Sequence, residues 1–328
     1  MLDQGFRRWF KPSQELVVTG LLVALFLLFS ILLPGFLEAN NLVNLIQNVS
    51  IIGILALGMG FVVIGKGIDL AMVATMAITA AWTVLLLGDG VPSVAAVLLG
   101  LLLAVGIGLL SGFLIAYVEI SSLFTTLAMI SVIYGFGQLA LVHSDLTYVP
   151  DAITWIPMLN HKVFGIPLSV IWFGLIAFLM SIVLRYTKIG RYIYFIGDNY
   201  QAARVTGLPV RPIILIQYCG SAVIAYVTGI IGASVLNTVN TRVVNSTLIY
   251  DVILVVVLGG ISLSGGKGRV MNIIVATLLI GILLNGLTIM NVPFTVQNLL
   301  EGALLLVALV IDSILNPRDE QTAQQGDI

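Results

Sequence analysis

The run Gly60–Leu70, G-F-V-V-I-G-K-G-I-D-L, comes closest in this chain to a chemical motif. It stops one residue short of the phosphate loop G-x-x-x-x-G-K-S/T, whose last hydroxyl holds magnesium. Gly67 stands at that position and removes the hydroxyl. The run also lies in apolar sequence instead of following a soluble strand, so it reads as a helix break. Gly65 and Gly67 free backbone groups there, and these must face protein or a wet cavity. Lys66 and Asp69 are three apart; in continuous helix they would share a face and could neutralise each other. Charges at membrane depth mark a solute pathway, whereas a lysine near a helix end can also snorkel to the cytoplasmic interface.

The stretch Ile249–Val270 holds Asp251 and then L-G-G-I-S-L-S-G-G-K-G-R-V. Gly259, Gly260, Gly265, Gly266 and Gly268 rule out a sturdy uninterrupted helix. Asp251 reads either as an acceptor that fixes a backbone break or lines a solute path, or as an interface carboxylate. Val63–Leu70 (V-I-G-K-G-I-D-L) and Val257–Leu263 (V-L-G-G-I-S-L) echo each other, and paired Gly-interrupted segments point to a translocation pathway in transporters. The loop Arg185–Pro212 contains G-D-N-Y-Q-A-A-R-V-T-G-L-P-V from Gly197 to Val210. Asp198 with Gln201 three residues later has the form of a capping box. Gly207 suits the C′ position and Pro209 forbids continuation. A short, well-stopped helix follows, starting near Asn199 and bearing Arg204, with Ala202 and Ala203 as a flat surface for another protein. The alternative is a connector helix that covers the spans.

Asn48, Gln138, Gln217, Asn285, Gln297 and the pair Thr125 and Thr126 lie inside apolar runs. In lipid such groups bond between helices or line a cavity. Gly108 and Gly112 have the spacing of close helix packing. No nucleophile elbow, no HExxH and no evident pair of membrane-depth carboxylates is present. His143 and His161 share one polar connection, and no cluster has metal-ligand spacing. The expectation is a chain that is not an enzyme and needs no metal or other cofactor. Cys219, the one cysteine, allows no intrachain disulfide.

The elements that must position these residues follow from composition. Of 328 residues 59% are hydrophobic and 9% charged, against about a quarter charged in soluble domains. The solvent for such a surface is lipid. A net charge of -1, with no basic patch, argues against nucleic acid. Runs near 20 apolar residues give ten candidate spans: 16–36, 46–65, 69–87, 93–118, 122–142, 166–185, 213–236, 247–263, 270–290 and 295–315. The second and third could form one broken hairpin around Lys66 and Asp69, and the eighth is weak. The apolar run from Leu16 to Leu33 is longer than a signal core, no small-x-small cleavage site follows it, and it reads as an uncleaved span. With Arg7, Arg8 and Lys11 in the cytoplasm, ten spans also place loop 186–212, Lys267, Arg269 and Arg318 there, as the positive-inside rule requires. The fold class is all-α: a polytopic membrane protein of about ten helices with broken or re-entrant segments and both ends cytoplasmic. A cytoplasmic segment 1–15, one transmembrane domain 16–315 and a polar cytoplasmic tail 316–328 make up the chain.

Three blocks resemble the permease subunits of bacterial ABC importers for ribose and related sugars. They are G-K-G-I-D-L-A at Gly65–Ala71, similar to the family's G-G-I-D-L-S; Thr187–Leu208; and Tyr250–Val270. Ile120–Leu127 is a fainter fourth, and the likeness spans about residues 40–312. It implies a multi-pass permease of the bacterial inner membrane that pairs with a second copy or a paralogue. A cytosolic ABC ATPase would dock on the loop holding Ala202, Ala203 and Gly207, and a periplasmic binding protein would deliver the solute. ATP-driven closure would then alternate access for a small polar solute such as a monosaccharide. Lys66, Ala71 and Asp198 depart from the family pattern, which has glycine, serine and glycine there. A permease for branched-chain amino acids or nucleosides is the neighbouring alternative. An ion-gradient-driven secondary transporter, with Asp69 or Asp251 as ion site, is the other.

Overall fold

The structure, a computed structural model, describes residues 14–315. Arg7, Arg8, Lys11 and the tail 316–328 with Arg318 lie outside the described residues. The chain runs through α1 (Gln14–Leu32), α2 (Ala39–Ile64), α3 (Met72–Gly88), α4 (Ser93–Ala116) and α5 (Ser122–Phe136). A π-helical stretch over Gly137–Val142 prolongs α5. Then come α6 (Trp155–Met158), α7 (Leu168–Tyr186), α8 (Lys188–Asp198), α9 (Tyr200–Val205) and α10 (Val210–Leu236). The series ends with α11 (Leu248–Leu258), α12 (Val270–Ile289) and α13 (Phe294–Leu315). The protein is thus an all-α polytopic membrane protein. Among the described residues seven helices are long and apolar enough to cross a bilayer, and Leu16–Leu32, Met72–Gly88 and Leu248–Leu258 are shorter apolar helices.

The expected second and third spans are two helices separated by non-helical backbone at residues 65–71. The expected eighth span is cut short. α11 has 11 residues, and at about 1.5 Å per residue it reaches only part of the way across a core of roughly 30 Å. Its glycine-rich continuation is non-helical up to Val270.

α2 is the central element: 72% of its membrane-length window is buried inside the protein, against 11% for α13. An apolar helix buried all round packs on protein, and one buried on a narrow strip faces lipid. Ile54, Leu57, Met59 and Ile64 of α2 are fully enclosed, whereas Leu299, Leu306 and Val310 of α13 are exposed. α10 packs on α2, α3 and α4. Against α4 the backbones touch. A Cβ on Gly108 would lie 2.7 Å from Cys219 Cα, and one on Gly112 would lie 3.0 Å from Leu215 Cα. The small-residue spacing in α4 therefore serves this close crossing.

The polar residues inside spans mostly bond between elements. Asn41 and Asn285 exchange amide hydrogen bonds at 3.0 and 2.9 Å, joining α2 to α12. Gln138 donates to Thr241 Oγ1 at 2.5 Å. Gln297 turns back to the Val292 carbonyl within its own segment. Among the described residues strand is confined to two short pairings, Leu146–Tyr148 with Thr238–Asn240 and Lys162–Val163 with Ile166–Pro167. The first ties the connection after α5 to that after α10.

Candidate functional site

α2 ends as the glycines predict, by a specific cap. The Lys66 amide bonds to the Val63 carbonyl at 2.8 Å and the Gly67 amide to Val62 at 3.1 Å. These are the two bonds of a Schellman motif with Gly65 as C-cap and Lys66 at C′. The C′ residue is left-handed, and Lys66 has φ 68°. This accounts for the glycine that the resembling motif carries there, since a side chain at this φ is strained. Gly67 is needed for approach: a Cβ on it would meet the Tyr218 hydroxyl at 2.7 Å.

The non-helical backbone after the cap is held by side chains from α5 and α10. The Ile68 amide donates to Ser122 Oγ, and its carbonyl accepts from Tyr218 and Thr126, all at 3.3 Å. Asp69 is 5% exposed. Its Oδ2 accepts from Ser221 Oγ at 2.7 Å and its Oδ1 from the Ala71 amide at 3.2 Å. Gln217 Nε2 donates to the Phe61 carbonyl at 2.9 Å, in the last turn of α2. Because helix does not continue through the break, Lys66 and Asp69 do not share a helix face. The carboxylate is occupied by α10 and by its own turn. Thr125, beside Thr126, has a buried hydroxyl with no hydrogen-bond partner.

The echo between the two motifs is a structural one. α11 stops with the Gly260 amide on Val257 at 2.9 Å and the Ile261 amide on Val256 at 3.2 Å, again a Schellman pair. Gly259 is the C-cap and Gly260 the C′ residue, with φ 71°. Each cap is followed by a polar residue that accepts from the amide two residues on: Asp69 from Ala71, and Ser262 Oγ from Ser264 at 3.2 Å. The second break is held from α13, where Asp312 Oδ2 accepts from the Leu263 amide at 3.3 Å.

Asp251, in the first turn of α11, is 8% exposed and lies against Glu301 of α13, itself 7% exposed. The fold thus brings together two buried carboxyl groups that the sequence does not evidently pair. Glu301 and Asp312 were the overlooked partners; each is a lone acid in an otherwise apolar run, which is the signal that could have found them. Ser122, Tyr218 and Ser221 were overlooked too. Only Gln217 stood out, although Gln217, Tyr218 and Ser221 fall on one face of α10.

Between α7 and α10 the chain forms two short helices. α8 is amphipathic, with Ile193 and Ile196 buried and Lys188 and Arg191 exposed. Asn199 caps α9, its side chain accepting from the Ala202 amide at 2.9 Å. The expected cap, Asp198, belongs instead to the end of α8. Asn199 has the extended backbone that an N-cap needs, φ -149° and ψ 98°. Gly207, with φ 78°, ends the turn after α9 as expected. Ala203 is fully buried and Ala202 partly so. The flat alanine surface thus faces inward, and α9 presents Gln201, Arg204 and Val205 instead. Val205 is 85% exposed. Of the sequence-selected residues, Gly65, Lys66, Gly197, Asp198, Gly265 and Gly266 gather in one place, whereas Asp251 sits at the opposite end of α11.

A profile of the family described as "Branched-chain amino acid transport system / permease component" matches residues 41–309. The chain is 30% identical to the ribose import permease protein RbsC of Escherichia coli (strain K12) over 311 residues, 94% of this chain and 95% of the relative. It is 34% identical to RbsC of Bacillus subtilis (strain 168) over 294 residues, 89% and 90% of the two chains. The autoinducer 2 import system permease protein LsrD of Yersinia pestis (strain Pestoides F) is 29% identical over 309 residues, 92% and 91%. No solved structure was found to match. With the family profile covering most of its length and relatives matched almost end to end, this chain of broken apolar helices belongs to that family of membrane permease components.

Proposed function

We propose that this protein is the membrane-spanning subunit of an ATP-driven importer of the bacterial inner membrane. It passes a small polar solute, a monosaccharide such as ribose or a related sugar, from periplasm to cytoplasm. The seven long helices and three shorter apolar ones make ten crossings, α11 completing its crossing through the glycine-rich stretch that follows it, with both chain ends in the cytoplasm. A second copy or a paralogue completes the corridor, and a periplasmic binding protein delivers the solute. The names of the ribose relatives support the solute class.

The observation that carries the reading is α9. It is a capped helix in a loop rich in Lys and Arg, with an exposed apolar residue, Val205, beside Arg204. A cytosolic ATPase that covers Val205 would account for that exposure. The test is co-purification of the partner ATPase with Val205→Glu and Arg204→Glu. Both side chains point away from the core, so the permease should keep its yield and melting temperature while the ATPase is lost. Wild-type recovery of the ATPase with the double variant would overturn the docking assignment. Uptake of ribose into proteoliposomes holding permease, ATPase and binding protein tests the solute.

A further inference from the structure

The three motif blocks, up to about two hundred residues apart, meet at the C-terminal turn of α8. The Gly266 amide, in the loop after α11, donates to the carbonyl of Ile64, the last residue of α2, at 2.8 Å. One hydrogen bond thus ties the first helix break to the second. Gly197 lies over that bond: a methyl group on it would overlap both the Ile64 carbonyl oxygen and the Gly266 amide. On the other side, a Cβ on Gly265 would meet the Gly197 carbonyl at 2.8 Å and Lys66 Cβ at 2.9 Å. A Cβ on Gly266 would meet Asp198 Cα at 2.8 Å. Gly266 also has φ 72°, which a side chain would strain. One turn earlier in α8, the Tyr194 hydroxyl donates to the Gly268 carbonyl at 2.7 Å. Gly197, Gly265 and Gly266 therefore bring three backbones into contact.

We infer that this clasp is the mechanical link between the ATPase-binding segment and the two helix breaks, with Tyr194 as a positioning residue for coupling. The inference rests on the importer reading given above. α9 follows α8 after one residue, Asn199, so a partner that moves α9 moves the turn bearing Gly197. Backbones in contact leave no slack, because packed interfaces shift between discrete arrangements instead of deforming smoothly. Displacement of that turn carries the Ile64 end of α2 and the Gly265–Gly268 loop together. Both breaks, which share one cap geometry, then respond as a pair.

The experiment uses the full complex of permease, ATPase and binding protein in proteoliposomes. Tyr194→Phe keeps every carbon contact and removes only the bond to Gly268. Its expected effect is about a fivefold fall in ribose moved per ATP hydrolysed, the size of one neutral hydrogen bond, with complex assembly and basal ATP hydrolysis unchanged. A second readout is thiol labelling of Ser264→Cys, in the loop of the second break. In the parent its labelling rate changes on adding ATP, and in the Tyr194→Phe background that nucleotide dependence falls by a similar factor. Gly266→Ala, which presses on Asp198, gives a larger loss of the same kind. Unchanged transport per ATP together with unchanged nucleotide-dependent labelling in Tyr194→Phe would overturn the clasp. If the parent complex neither binds the ATPase nor labels in an ATP-dependent way, the importer reading falls, and the clasp with it.

Discussion

Ser221→Ala removes one hydroxyl from the middle of α10 and leaves Asp69 Oδ2 without its 2.7 Å donor. Asp69 and Ser221 are both enclosed, so water does not readily replace the lost bond. A hydrogen bond to a carboxylate contributes about 1.5–3 kcal/mol, and neutral bonds between membrane helices average about 0.6 kcal/mol. The expectation is a loss of about 1.5–2 kcal/mol, the lower end of the carboxylate range. Asp69→Ala also frees the Ala71 amide, whose 3.2 Å bond is longer and weaker, and loses about 1 kcal/mol more. The assay is a double-mutant cycle read by thermal unfolding of the detergent-solubilised protein, followed by tryptophan fluorescence. At about 2 °C per kcal/mol for a chain of this size, Ser221→Ala should melt roughly 3–4 °C below the parent. In the cycle, Ser221→Ala should change nothing further once Asp69 is alanine. Strict additivity of the two substitutions, or a Ser221→Ala midpoint equal to the parent, refutes the claim that this bond holds the first break.

Three further outcomes are expected. Lys66→Gly relieves a left-handed side chain at C′ and should raise stability by up to about 1 kcal/mol after the added freedom of the unfolded glycine is offset; a fall in melting temperature would show instead that the Lys66 side chain is indispensable. Glu301→Gln, which keeps a polar amide beside Asp251, should be tolerated, whereas Glu301→Leu leaves a buried carboxyl without its polar neighbour and should lose about 1–3 kcal/mol, measured by the same melt. Asn199→Ala removes the cap of α9 and about 1 kcal/mol of helix stability; amide exchange at Ala202 should quicken about fivefold while α10 amides are unaffected.

What the sequence revealed of this fold divides along physical lines. Helix positions were legible because lipid demands long apolar runs, and the same demand made each glycine interruption conspicuous. The stop after Ile64 could be placed from Gly65, whereas Gly259 marked a weak helix without fixing its end, since the apolar run continues to 263; the echo of the two motifs was visible as letters. That they share one cap could not be read, because Lys66 occupies in the first a position that Gly260 fills in the second. The tertiary partners of the breaks were hidden. Ser122, Tyr218 and Ser221 are ordinary residues until the fold turns them toward Ile68 and Asp69, and no local pattern states that orientation. Asp251 was seen as chemistry without a partner because Glu301 lies fifty residues on. At α9 the error was one of phase. Six residues are too few for a periodicity to show which alanine faces the core, and Asn199 and Asp198 are equally good caps on paper.

The contact of α4 with α10 limits how this molecule can change shape. Where Gly108 meets Cys219 and Gly112 meets Leu215, backbone lies against backbone and leaves little room for a slide. The two helices form one stiff plank. Whatever rearrangement admits a solute on one face and releases it on the other must be sheared across seams lined by larger, repackable side chains, with the plank carried along as cargo.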